Sequence, residues 1–182
     1  LRIAMLPLRS LPGVDALIDA WLHAGVSLSA NIGAEGGVAF DAGSQRAQWS
    51  IDTHGQDWSG DATSWRLSLL RLPRLLILGA GPETPTLIPL LRELGWWVCL
   101  AERRARWNGV GSPADACLQG APAAALHEAS VDAVLVMHHD FELDREALDA
   151  LAGTDIGFIG LLGPRRPRDD LFKLLPPNQR DS

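Results

Sequence analysis

The run Leu75-Leu76-Ile77-Leu78 followed by Gly79-Ala80-Gly81-Pro82-Glu83 constrains this chain more than any other stretch. Uncharged apolar residues in a short block predict a buried strand, and the glycines predict a sharp turn at its end. A helix pattern follows at once over about 84–94, with Leu87, Ile88, Leu91 and Leu94 facing inward and Gly95 ending it. Strand, glycine turn and helix in this order open a nucleotide-type α/β domain. Such a turn is expected to aim helix N–H groups at an anion.

From there the pattern alternates. Strands are predicted over 96–101, 116–118, 133–137 and 156–159, with helices over 122–127, 142–151 and 167–175. This alternation predicts an α/β fold, a Rossmann-like doubly wound parallel sheet whose strand carboxyl ends share one ligand-binding edge. Arg71-Leu72-Pro73-Arg74 reads as a linker, because Pro73 neither donates to a ladder nor lets a helix pass. Residues 1–72 are therefore expected to form a small α+β domain, and 73–182 the Rossmann-like domain. In the first, strands are predicted over 1–8, 26–32, 38–40, 49–51 and 65–70, with a helix over 14–23. Asp52, His54 and Asp57 read as a solvated loop. The chain opens on Leu1, which leaves room for a missing upstream part.

Charge narrows the partners. With 16 Lys and Arg against 22 Asp and Glu, the net charge is −6. Residues up to Pro73 hold five basic and seven acidic side chains, and those beyond hold eleven and fifteen, so neither part offers a basic field. No nucleic-acid partner is expected. The apolar runs are too short for a membrane span and no secretory signal opens the chain. Cys99 and Cys117 are the two cysteines. They suggest no disulfide framework and fit a reducing cytoplasm, with Cys99 a small core residue.

Four segments converge on the predicted edge. The first is the turn Gly79 to Glu83, where Thr84 stands in place of the third glycine of G-x-G-x-x-G and Thr84-Pro85 reads as N-cap and first helical residue. The second is Glu102 at the end of the next strand. It is either a ribose-hydroxyl acceptor or a surface carboxylate paired with Arg103, Arg104 or Arg106. The third is Met137-His138-His139-Asp140, whose histidines read as ligand contacts, proton donors or metal ligands. Neighbours on extended chain point apart, so His138 and His139 make poor joint ligands for one metal, and no metal site is expected. The fourth is Gly160-Leu161-Leu162-Gly163-Pro164-Arg165-Arg166, read as a second glycine turn whose arginines hold a phosphate or, alternatively, form a solvated or docking surface.

Leu-Gly-Ala-Gly-Pro-Glu at 78–83, Met-His-His at 137–139 and Gly-Leu-Leu-Gly-Pro-Arg at 160–165 together resemble the XdhC/CoxI family of molybdoenzyme accessory proteins. The resemblance covers about 64–175 well and the earlier part more loosely. It implies binding of molybdenum cofactor (molybdopterin), protection during maturation, and delivery to an apo-molybdoenzyme of the xanthine dehydrogenase type. A cytoplasmic homodimer that also meets a cysteine desulfurase is implied as well. Carried onto this chain, the cofactor-binding residues are Gly79, Gly81, Pro82, Glu83, His138, His139, Gly160, Gly163, Pro164 and Arg165, beside Glu102 and Arg166 from the residue reading. Neither cysteine begins the Cys-Gly-Gly element frequent in the family. The alternatives are an NAD(P)-dependent oxidoreductase or nucleotide-binding module using the Gly79–Gly81 turn, and an interaction module docking through the tryptophan-containing first part.

Overall fold

The computed structural model describes residues 5–52, 64–107 and 109–163. The chain divides into two compact units, residues 1–72 and 73–182.

In the first unit, helix α1 (Val14–His23) follows a short 3-10 turn at Leu8–Ser10. Strands β1 (Leu28–Gly33), β2 (Gly37–Ala42), β3 (Gln45–Ser50) and β4 (Ser64–Leu69) form an antiparallel sheet in the order β3-β2-β1-β4. Leu17 of α1 packs on Leu28, Ala30, Val38 and Phe40, which face one side of the sheet by strand alternation. Trp49 sets its ring edge-on to Phe40 at 5.3 Å. Trp21 and Trp49 donate their indole N–H groups to the carbonyls of Leu70 and Pro12 at 2.8 and 3.0 Å. Those two tryptophans are thereby tied into the unit's own framework.

The described part of the predicted strand over 1–8 is not a strand. Residues 5–7 are irregular and Leu8 begins the 3-10 turn, because Pro7 lacks the N–H that a ladder needs. Strand β3 begins earlier than the apolar pattern implies. Its first residues are polar because the strand stands at the sheet's edge and presents alternate side chains to water. His54 and Asp57 lie outside the described residues.

The second unit contains β5 (Arg74–Leu78), α2 (Thr84–Glu93), β6 (Trp97–Ala101), β7 (Ala116–Leu118), α3 (Pro122–Glu128), β8 (Ala133–Val136), α4 (Phe141–Leu151) and β9 (Phe158–Leu161). Its sheet order is β7-β6-β5-β8-β9 and all four pairings are parallel. This is the doubly wound arrangement that the alternation predicts, with β5 at the centre. Strand β5 is buried on both faces. Leu75 and Ile77 pack with Ile88 of α2, Val98 and Met137, while Leu76 and Leu78 turn to the opposite face. The reversal of strand order at β5 brings the ends of β5, β6 and β8 together. The predicted helix over 167–175 lies outside the described residues. No described helix is long and apolar enough to cross a membrane.

Candidate functional site

The glycine turn leaves β5 beneath the chain that leaves β8. Gly79 has φ +88°, and a Cβ there would lie 2.5 Å from the His138 ring. A Cβ on Gly81 would lie 2.7 Å from the Glu83 carboxylate and 2.9 Å from the His139 ring. Both glycines are thus demanded by side chains of this same protein that lie on the turn.

The N–H groups of the turn are already committed. Gly79 donates to the Ala101 carbonyl at 2.9 Å and Thr84 to the Gly81 carbonyl at 3.1 Å. Ala80 donates to Glu102 Oε2 at 2.7 Å, and Gly81 to Thr84 Oγ1 at 2.9 Å. The Glu83 amide faces its own carboxylate. Thr86 and Leu87 donate to the Glu83 carbonyl, and Pro82 and Pro85 have no N–H. A turn wired in this way holds no donors out toward a phosphate. Its anion is internal.

That anion is Glu102. Burial pushes its carboxyl upward, but the side chain and amide of Arg104 and the Ala80 amide more than offset this and hold it below the ordinary range. Arg104 also donates to the carbonyls of His138 at 2.7 Å and Ala80 at 2.9 Å. One guanidinium therefore clips together the ends of β5, β6 and β8. Glu102 is buried, and its partner is Arg104. Arg103 instead pairs with Glu146. Thr84 is fully buried as the first residue of α2, with Glu83 at the N-cap position. The N-cap expected at Thr84 falls instead on Glu83, and the Thr84 hydroxyl accepts from the Gly81 amide rather than from the helix.

His138 and His139 end up in different surroundings. His138 is buried, and its Nδ1 and its amide both meet Asp144 Oδ1 at 3.1 Å. A carboxylate accepts, which places a proton on Nδ1. Asp144 Oδ2 also accepts from the Asp140 amide at 3.3 Å. His139 has φ +54°, the described non-glycine residue with a left-handed backbone. That turn lays its ring over Gly81, where Nε2 meets Glu83 Oε1 at 2.5 Å with both side chains about one-third exposed. Partial burial pushes the Glu83 carboxyl up, but its own amide and His139 outweigh this and leave it below the ordinary range. The two neighbouring histidines therefore meet different carboxyl groups, His138 that of Asp144 and His139 that of Glu83. No group of three or more metal-ligating side chains occurs among the described residues.

Gly160 lies inside β9 and not in a turn. A Cβ there would meet Leu135 at 2.7 Å, so a neighbouring strand's side chain sets the requirement. Gly163 is exposed just beyond the strand, while Pro164, Arg165 and Arg166 lie outside the described residues. Beside Glu102, the ends of β6 and β7 frame a pocket of about 240 Å³ with Leu100, Trp107, Cys117, Leu118 and Gln119 on its walls, which sequence reading missed. Its signal in the sequence is Trp107, a large aromatic side chain in an irregular loop. Burial and the nearby Cys117 push the Cys99 thiol up to about 11, so it stays a neutral core residue at neutral pH.

The family model described as the XdhC Rossmann domain matches residues 75–180. The chain belongs to the XdhC family. Among solved structures, it is similar to one from Bacillus halodurans described as a xanthine dehydrogenase. The identity is 22% and the TM-score 0.63, covering 90% of this chain and 56% of that one. At that identity the likeness speaks for the fold, and this chain spans little more than half of that protein's length. A quinone oxidoreductase from Thermus thermophilus, 16% identical over 88% of this chain and 81% of its own, has a TM-score of 0.36, too low to carry an argument. No curated protein matches the sequence.

Proposed function

We propose that this chain is an accessory protein that binds molybdenum cofactor and aids its maturation and insertion into an apo-molybdoenzyme of the xanthine dehydrogenase type. The observation that carries the reading is the match of an XdhC Rossmann domain over the whole sheet edge from the glycine turn onward. Contact with the target enzyme and with a cysteine desulfurase, homodimerisation and a cytoplasmic setting belong to the same reading.

Molybdopterin joins a flat pterin rich in hydrogen-bonding groups to a phosphate, and it carries the metal through its sulfur ligands. The exposed Glu83–His139 pair suits the pterin end, because it offers acceptors on an edge bordered by glycine. The phosphate end suits Arg165 and Arg166 after Gly163, since the Gly79 turn has no free donors for it. Glu102, Arg104, His138 and Asp144 would hold the strand ends in place beneath the ligand. The dinucleotide alternative finds less support, because both the pyrophosphate donors and the ribose acceptor it would use are engaged within the protein.

The test is anaerobic gel filtration of the protein with molybdopterin, followed by mass spectrometry of what stays bound. Near-stoichiometric retention, with loss in Arg165→Ala, is the expected result. No retention by the wild-type protein, or saturable binding of NAD(P)H in its place, overturns the reading.

A further inference from the structure

We infer that Glu83, held by His139 over Gly81, is the specificity contact for the paired N–H donors of the bound heterocycle, so that a 2-amino-4-oxo ring is preferred over rings lacking the amino group. This rests on the cofactor reading given above and adds which groups of the heterocycle the Glu83 carboxylate selects.

Three observations converge. The chain adopts a left-handed backbone at His139, costly for a residue with a side chain, and thereby sets its ring on Glu83. Gly81 is the floor of the pair, and any side chain there would displace it. The surrounding N–H groups are satisfied or missing, which leaves the carboxylate as the exposed chemistry of the turn.

The acceptor count then selects the ligand. A carboxylate offers about four lone-pair positions. His139 takes one on Oε1. The remainder matches two adjacent N–H donors, such as the ring N–H and amino group of a pterin or guanine edge. A phosphate placed there would meet like charge. One carboxylate and one histidine fall short of a metal's usual ligand set.

The probe is free pterin, compared with lumazine, in which a carbonyl replaces the 2-amino group, each titrated into the full chain by fluorescence. The wild-type protein is expected to prefer pterin by on the order of 10-fold, with the preference lost in Glu83→Gln and kept in Glu83→Asp. His139→Gln, which removes the positioning group, is expected to weaken the preference without abolishing it. Equal preference in the wild-type protein and Glu83→Gln overturns the inference, while retention of molybdopterin by the wild-type protein would leave the broader reading standing. Loss of binding to the apo-molybdoenzyme in Glu83→Gln, with pterin selectivity intact, would assign the carboxylate to a protein partner and also overturns it. If the wild-type protein retains no molybdopterin, both readings fall.

Discussion

His138 and His139 are neighbours in sequence, and each meets a carboxyl group, yet they belong to opposite regimes. The His138–Asp144 pair is buried, with that carboxyl also accepting two backbone amides that end β8. The His139–Glu83 pair is about one-third exposed and stands above the turn. A buried polar group must be satisfied internally, so its loss leaves uncompensated donors. A partly exposed pair can exchange its partner for water or a ligand at little cost. The difference separates residues that hold the edge from residues free to read what arrives there.

The sharpest test of the holding side is Gly79→Ala. Its Cβ would press on His138 while the backbone keeps φ +88°. A loss of about 4 kcal/mol is expected in urea unfolding. A change below about 1 kcal/mol would show that His138 yields readily, and the contrast between the histidines would collapse. Next in size is Asp144→Ala, which orphans the His138 and Asp140 amides together with the ring N–H. About 3 kcal/mol should be lost, and hydrogen exchange should accelerate at the end of β8 before it does so at β5.

Glu102→Gln comes third. Exchanging the carboxylate for an amide weakens its charge-assisted bonds to Arg104 and Ala80, for an expected loss of about 2 kcal/mol at neutral pH. The sign with pH follows from the lowered folded-state pKa. Stability from this group is present above the unfolded value of 4.5 and is lost as pH falls through the folded one. The wild-type protein should therefore lose its advantage over Glu102→Gln on acidification below that value, and a constant gap would disprove the linkage. The smallest effect belongs to the reading side. Glu83→Gln should change stability by less than about 0.5 kcal/mol, while cofactor retention falls. A large thermal shift in that variant would move Glu83 into the holding group and erase the distinction.

The parallel sheet was legible because β5, β6 and β8 carry uninterrupted apolar blocks. Of the inward face expected for α2, Ile88, Leu87 and Leu91 pack on the core, while Leu94 lies past the helix end and is exposed. The antiparallel sheet was less so. Edge strand β3 opens on Gln45-Arg46 and carries no apolar block to mark its start. At the site, the sequence located Glu83, Glu102 and both histidines on one edge. It did not reveal Asp144, whose position inside an amphipathic helix looks like any solvated acid. Arg104 is hidden in the same way among Arg103 and Arg106, with Glu102 nearby as an equally plausible partner for each.

What the sequence determined by itself is the order of strands and helices and the turn at the carboxyl end of β5, since apolar periodicity and glycine act locally. Which donors that turn has left to offer was decided only in three dimensions. Glu102 comes from the neighbouring strand and the two histidines from the far side of β5, and their contacts depend on long-range pairing that no local pattern encodes. A glycine turn that reads as an anion cradle in one dimension therefore folds into a turn already filled by the protein's own carboxylates.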